Sequence, residues 1–200
     1  MKRTEPIRNP AQVRALLSHY RKLGHHRNSL LIAVGVFTAL RISDILSLTT
    51  DMVYDFNSRK IRNRITITEK KTGKSKTIAL NKSIITALKL YFPHAAPGEP
   101  LFPNLKTGEA ITRMQANRIV REAGNAAGIS FNVSCHCLRK TFGYAAWKAG
   151  TSPVVIMNIY NHSSFAVTQR YLGVCQDDQD TAYLGITFDK TQEHVNPHRL

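Results

Sequence analysis

Two hundred residues of ordinary apolar content suffice for one domain with its own core, without disulfide or metal staples. The balance of 28 Lys and Arg against 13 Asp and Glu gives a net charge of +15, which excludes an acidic, self-repelling chain and points to a polyanionic partner, nucleic acid first. That excess is uneven, with 26 basic and 8 acidic residues up to Tyr171 but 2 and 5 after it, so the last thirty residues have a separate role.

The N-terminal MKRTEPIRNP has neither the apolar run nor the cleavage site of a signal peptide. Pro10 then opens a predicted helix that stops at Gly24. The most apolar run, SLLIAVGVFTAL at 29–40, is too short for a membrane span and is flanked by Arg27 and Arg41; it reads as a core helix. SDILSLT at 43–49 reads as a short third helix with Ser43 as its cap. The period then changes from helical to alternating. MVYDF, KIRNRITITEK and KSKTIAL read as three strands, the last two joined by a tight turn at KTGK. Arg62, Arg64, Lys70, Lys71, Lys74 and Lys76 give this hairpin a basic face or tip.

Helices return over 82–92. A loop with Pro93, Pro97, Pro100 and Pro103 follows, then helices over 111–128, 134–150 (Ser134 as cap), 152–161 and 164–172, with a last one within 176–186. The predicted class is mainly α with a small antiparallel three-stranded sheet. One domain covers 1–175, and 176–200 is a tail.

Four separated segments carry polar residues where a core would take none. Arg41 follows the apolar helix, and Lys71 lies at the hairpin turn. His136 and Arg139, spaced i and i+3 in HCLR, share a helix face. His162 and Tyr171 lie nine apart in NHSSFAVTQRYL. Each alone has an ordinary reading: a helix-end charge, a solvated lysine, a structural histidine. Together they describe phosphoryl chemistry. Two guanidinium groups can clamp the nonbridging oxygens of one phosphate. A lysine and histidines can move protons. A tyrosine hydroxyl among such cations can act as nucleophile.

This order of Arg, Lys, His-x-x-Arg, His and Tyr resembles the tyrosine recombinase, or phage integrase, family over roughly residues 10–184. The resemblance implies that Tyr171 attacks a DNA phosphate and forms a 3′-phosphotyrosyl bond. Arg41 and Arg139 would bind that phosphate, and Lys71 would protonate the leaving 5′-oxygen. His136 would be general base or hydrogen-bond partner, His162 would bond a nonbridging oxygen, and Asp44 would hold a neighbouring group. Arg62, Arg64, Lys70, Lys74, Lys76 and Lys140 would contact DNA. Neither metal nor nucleotide cofactor is implied. The partners would be double-stranded DNA and further copies of the chain, a tetramer on DNA and a monomer without it. The expected location is the cytoplasm of a bacterial or phage-type system, at the nucleoid, which the odd cysteine number also fits.

There are two departures. Asn161 stands where the family commonly has glycine, in a turn whose left-handed backbone asparagine tolerates. The family's separate N-terminal DNA-binding domain has no counterpart, so the chain resembles the short, catalytic-domain-only members; a catalytic-domain fragment is the other reading.

Competing assignments are Tyr160 as nucleophile, against which its apolar helix argues, and zinc at SCHC, whose cysteines point to different sides of a helix. At the level of function the alternatives are a non-catalytic DNA-binding accessory of the same fold and a type IB topoisomerase-like enzyme. In the tail, Tyr183, Leu184 and Ile186 follow an acidic stretch, so the segment is expected either to dock on a neighbouring copy or to pack on its own domain.

Overall fold

A computed structural model describes residues 4–92, 96–172, 174 and 176–186. Pro93 and the part of the expected tail beyond residue 186 lie outside them.

Helix α1 (Pro10–Lys22) begins with Pro10 at its first turn and Asn9 as cap, the Asn9 side chain accepting from the Ala11 amide at 2.8 Å. Gly24, with φ +71°, turns the chain just past the end of this helix. Helix α2 (His26–Phe37) is buried from Ser29 to Val36, because it runs through the centre of the molecule between α1, α5 (Lys82–Tyr91) and α7 (Cys135–Lys148). A helix apolar on every face has nowhere else to lie.

The chain leaves α2 through a sharp corner. Thr38 Oγ1 donates to the Val34 carbonyl at 2.7 Å, and Ala39 takes φ +57°, a left-handed conformation costly for a residue with a Cβ. The backbone is extended at Arg41, which becomes the N-cap of α3 (Ile42–Ile45). The expected Ser43 cap and seven-residue helix are therefore corrected: the corner at Ala39 sets the start, and a second short helix, α4 (Thr50–Val53), takes residues read as strand.

The expected three-stranded sheet is two separate hairpins. Strands β1 (Tyr54–Asp55) and β2 (Lys60–Ile61) pair with each other, as do β3 (Arg64–Thr68) and β4 (Ser75–Ala79). The run KIRNRITITEK divides because its backbone changes partner: Arg62 donates to the Val53 carbonyl at 2.8 Å, while the Asn63 carbonyl accepts from Leu80 at 2.9 Å. In the second hairpin Ile65 faces Ile78 and Ile67 faces Lys76 on the buried side, whereas Thr66 and Thr77 meet on the outer side with hydroxyls 3.0 Å apart. Its tip closes with the Gly73 amide donating to the Glu69 carbonyl at 2.8 Å, and places Lys70 and Lys71 on the turn.

Helix α6 (Arg113–Ala126) starts at a reciprocal Thr112–Gln115 capping box, and α7 starts at one between Ser134 and the Cys137 sulfur. The Cys137 thiol is thus engaged at a helix start. Helices α8 (Pro153–Tyr160) and α9 (Phe165–Leu172) pack on the second half of α7, and α10 (Gln176–Gly185) follows. No helix among the described residues is long and apolar enough to cross a membrane.

Candidate active site

The corner after α2, the hairpin tip and the N-terminal ends of α6 and α7 converge. Arg41, Lys70, Lys71, Arg113, His136 and Arg139 line one open cleft of about 430 Å³, whose floor includes Leu40, Ile42, Ser43 and Cys135. Five lysines and arginines face a space with no carboxylate among its lining residues, an arrangement suited to an anion. Arg113, at the first turn of α6, was not foreseen; an arginine beside a helix cap carries no local signal of a site.

Arg139 is 2% exposed. Its Nη1 donates to the Ala39 carbonyl and its Nη2 to the Tyr160 carbonyl at 3.2 Å, and its Cζ lies 4.6 Å from the centre of the Tyr160 ring. The Tyr160 hydroxyl donates back to the Arg139 carbonyl at 2.6 Å. Tyr160 is fully buried, and burial pushes its hydroxyl pKa up. It is a structural anchor, as its apolar helix suggested.

Arg41 is partly exposed; its Nη1 donates to Glu69 Oε2 at 3.0 Å. Glu69 was missed by the sequence reading, yet it is fully buried, and the same Oε2 also accepts from Thr72 Oγ1 at 2.9 Å and from Asn161 Nδ2 at 3.0 Å. Burial alone would raise its pKa; the donations of Asn161, Thr72 and Arg41, with the Arg41 charge, outweigh that and hold it below the ordinary carboxylate value. Asp44, 1% exposed, accepts from the Lys70 amide through Oδ1 at 3.0 Å and so ties the hairpin tip to α3. Asp44 Oδ2, Glu69 Oε1 and Arg139 Nε are buried with no hydrogen-bond partner among the described residues. Of the three, Arg139 Nε is the donor on a residue that lines the cleft, and so the one an anion there could satisfy.

Asn161 takes φ 54°, ψ 41° as the cap of α8, the left-handed turn expected of it. Next to it, His162 stacks on Tyr160 with centroids 5.0 Å apart and planes at 12°, and its Nδ1 lies 3.0 Å from Thr168 Oγ1. Burial first, then the charges of Arg139 and Arg41, lower the His162 pKa to about 4. His136 is shifted down too, by partial burial and then by Lys140, Arg139 and Arg41.

The Tyr171 ring sits against this group from α9. Its centre lies 5.3 Å from the His136 ring, 4.7 Å from His162, 5.0 Å from Tyr160 and 5.9 Å from Arg139 Cζ. It is half-buried beside the cleft and does not line it.

Of the six residues expected on the DNA-facing surface, Arg62, Arg64, Lys70 and Lys74 are exposed. The other two point inward. Lys76 donates to the Ile159 carbonyl, because the register with Ile67 puts it on the buried face of the hairpin; burial lowers its pKa to about 8. Lys140 is buried, donates to the Thr4 carbonyl at 2.6 Å, and lies 5.5 Å from the Tyr171 ring centre.

Residues 9–177 match the family model described as the phage integrase family, and the chain belongs to that family. Over 179 residues it is 34% identical to "Probable integrase/recombinase YoeC" of Bacillus subtilis (strain 168), spanning 90% of this chain and 94% of that protein. It is 29% identical over 151 residues to tyrosine recombinase XerA of Pyrococcus furiosus, covering 74% of this chain but only 50% of that one. Among solved structures, the crystal structure of XerA recombinase matches with a TM-score of 0.74 at 21% identity, over 91% of this chain and 66% of that chain. XerH site-specific recombinase bound to palindromic difH substrate, a post-cleavage complex, matches at 0.72 and 22% identity, over 91% of this chain and 53% of that one. These structural likenesses establish the fold, mainly helical with small antiparallel sheets. The chain spans about half the length of its XerA relative.

Proposed function

We propose that the chain breaks and rejoins duplex DNA through a covalent bond between Tyr171 and a backbone phosphate. The Tyr171 oxygen attacks phosphorus, a Tyr–O–P bond forms, the P–O5′ bond breaks, and the DNA is left with a free 5′-hydroxyl. The tyrosine proton passes to His136. The leaving 5′-oxygen takes a proton from Lys71. Arg41 and Arg139 hold the nonbridging oxygens and offset the charge that builds in the transition state. His162 adds a hydrogen bond, and Arg62, Arg64, Lys70 and Lys74 contact neighbouring phosphates, which sets affinity without reading sequence. The 5′-hydroxyl of another strand reverses the reaction. The phosphotyrosyl bond conserves the energy of the broken diester, so the cycle balances without a nucleotide.

The observation that carries this reading is the convergence of Arg41, Lys71, His136 and Arg139 from separated segments on one carboxylate-free cleft, with the Tyr171 ring beside it. The test is incubation with nicked suicide substrates. A protein–DNA adduct is expected, and its loss in Tyr171→Phe. No adduct on any duplex, or one that survives that substitution, sinks the reading; the non-catalytic DNA-binding alternative then stands.

Helix α10 supports a homo-oligomeric arrangement. Tyr183, Leu184 and Ile186 are 76%, 84% and 68% exposed, so this apolar set is not packed on its own domain. Docking on a second copy would cover it. A chain truncated after Leu172 should lose higher-order complexes on DNA, measured by sedimentation; unchanged masses would rule the docking out.

A further inference from the structure

The tip of the second hairpin raises a problem of energetics. Glu69 continues the alternation of Ile65 and Ile67 and so falls on the buried face, at a position where an aliphatic side chain would fit the pattern. A buried carboxylate is expensive even when paired, and replacing such an ion pair by apolar side chains often leaves a fold equally or more stable. Glu69 therefore needs a reason beyond stability. Its contacts supply one. A single oxygen accepts from Arg41, which faces the cleft, and from Asn161, which directly precedes His162. Glu69 is not itself among the residues lining the cleft, so it stands behind Arg41 and does not meet the ligand. The hairpin grips the end of α8 at a second point, where Lys76 donates to the Ile159 carbonyl.

We propose that Glu69 is a positioning residue of the strand-transfer reaction: its buried carboxylate fixes the Arg41 guanidinium and, through Asn161, the turn that presents His162, so that both address the same phosphate. This deepens the function proposed above and rests on it. The geometry also gives Asn161 a second task. Asparagine accepts the left-handed turn that glycine would accept, and in addition its amide reports the position of that turn to Glu69.

The experiment compares wild type, Glu69→Gln, Asn161→Gly, Arg41→Ala and the Arg41→Ala/Glu69→Gln double variant of the full chain. Each cleaves nicked suicide substrates carrying either the ordinary scissile phosphate or a methylphosphonate, in which a methyl group replaces one nonbridging oxygen and its charge. Glu69→Gln keeps the side-chain shape and removes the charge. On phosphate it should slow adduct formation by on the order of 10²-fold, the usual effect of a misplaced catalytic group. Asn161→Gly, which keeps the turn, should slow it by about tenfold on the same grounds. On methylphosphonate both gaps should narrow, because the charge that Arg41 must meet has gone. In the Arg41→Ala background Glu69→Gln should add no more than the roughly tenfold expected of Asn161→Gly, since its effect through Arg41 is already gone and residues acting as a unit are not additive. Equal loss on both substrates overturns the proposal, because a general loss of folded structure would act that way. So does a wild-type rate for Glu69→Gln on phosphate. If Glu69→Gln fails to fold, Asn161→Gly decides by the same two comparisons. A wild type that forms no adduct on either substrate defeats the strand-transfer reading itself, and this inference with it.

Discussion

Two hydrophobic clusters among the described residues carry different parts of the candidate site. The larger draws buried side chains from α1, α2, α5, α6 and the start of α7, and its edges carry Arg41, the hairpin tip and His136. The smaller consists of Ala39, Ile156, Tyr160 and Leu172, with Phe142, Trp147 and Tyr171, the proposed nucleophile, packed on it, and His162 stacks on its Tyr160. Helix α7 belongs to both, and Arg139 sits on it between them, bonded to Ala39 and Tyr160 carbonyls of the smaller side. Arg41 and His136, proposed to meet the phosphate, are thus set at the edge of the main core, whereas Tyr171, the proposed nucleophile, rests on a small satellite. A region with fewer buried apolar contacts opens at lower free energy. The side that carries Tyr171 is accordingly the half expected to adjust in the proposed reaction.

A matched pair of helical glycines tests this division. Both lie where an added Cβ would crowd a neighbour. At Gly143 it would press on the Tyr160 phenol, with ring carbon Cε2 at 2.9 Å; at Gly35 it would meet Leu138 Cδ1 at 2.7 Å. Gly143→Ala must displace a ring that holds the Arg139 carbonyl, stacks on His162 and touches Tyr171. Adduct formation should fall by on the order of 10²-fold, as misplacement by about 1 Å can cause. Stability should fall by about 1–3 kcal/mol through overpacking, offset by about 1 kcal/mol of helix propensity gained from Gly to Ala. Gly35→Ala should lower stability to a similar extent by overpacking the main core, with the same offset, while the folded fraction stays active. Urea midpoints and single-turnover rates measure both. Loss of stability at Gly143 with activity intact would show that the clusters are not divided in this way.

The sequence led to Arg41, Lys71, His136, Arg139, His162 and Tyr171 because each stands in a motif of fixed spacing, and to the starts of α1 and α7 because the early proline and the Ser134 cap are local chemistry. What it hid was tertiary. Ala39 has no residue-level signal for a left-handed corner, so the start of α3 was misplaced. Glu69 and Lys76 were visible in principle. Both fall on the apolar phase of the hairpin alternation, one after Ile65 and Ile67, the other opposite Ile67. Treating every hairpin cation as a surface charge concealed Lys76, and following only motif residues concealed Glu69. Lys140 was hidden for a different reason: the segment that covers it, at Thr4, lies far away in the chain.

The two histidines sharpen the comparison further, with a smaller effect. His162 belongs to the satellite, and its pKa is lowered to about 4 from an ordinary value near 6.5 only while that cluster stays closed around it. The unfolded chain then binds the proton more tightly than the folded one between those two values. The stability that neutral His162 contributes is therefore full above pH 6.5 and is lost as pH falls towards 4. Following the imidazole resonances by NMR across this window should show His162 neutral through pH 5, and urea midpoints should decline from pH 7 to pH 4.5 less in His162→Asn than in wild type. His136, on the α7 end that borders the main core and shifted down by the same cations, serves as the internal reference. Titration of His162 near 6.5 would mean that the satellite is open to water most of the time. The Tyr171 ring packed against it would then be free as well, and the contrast between a fixed phosphate side and an adjustable nucleophile side would become one between order and its absence.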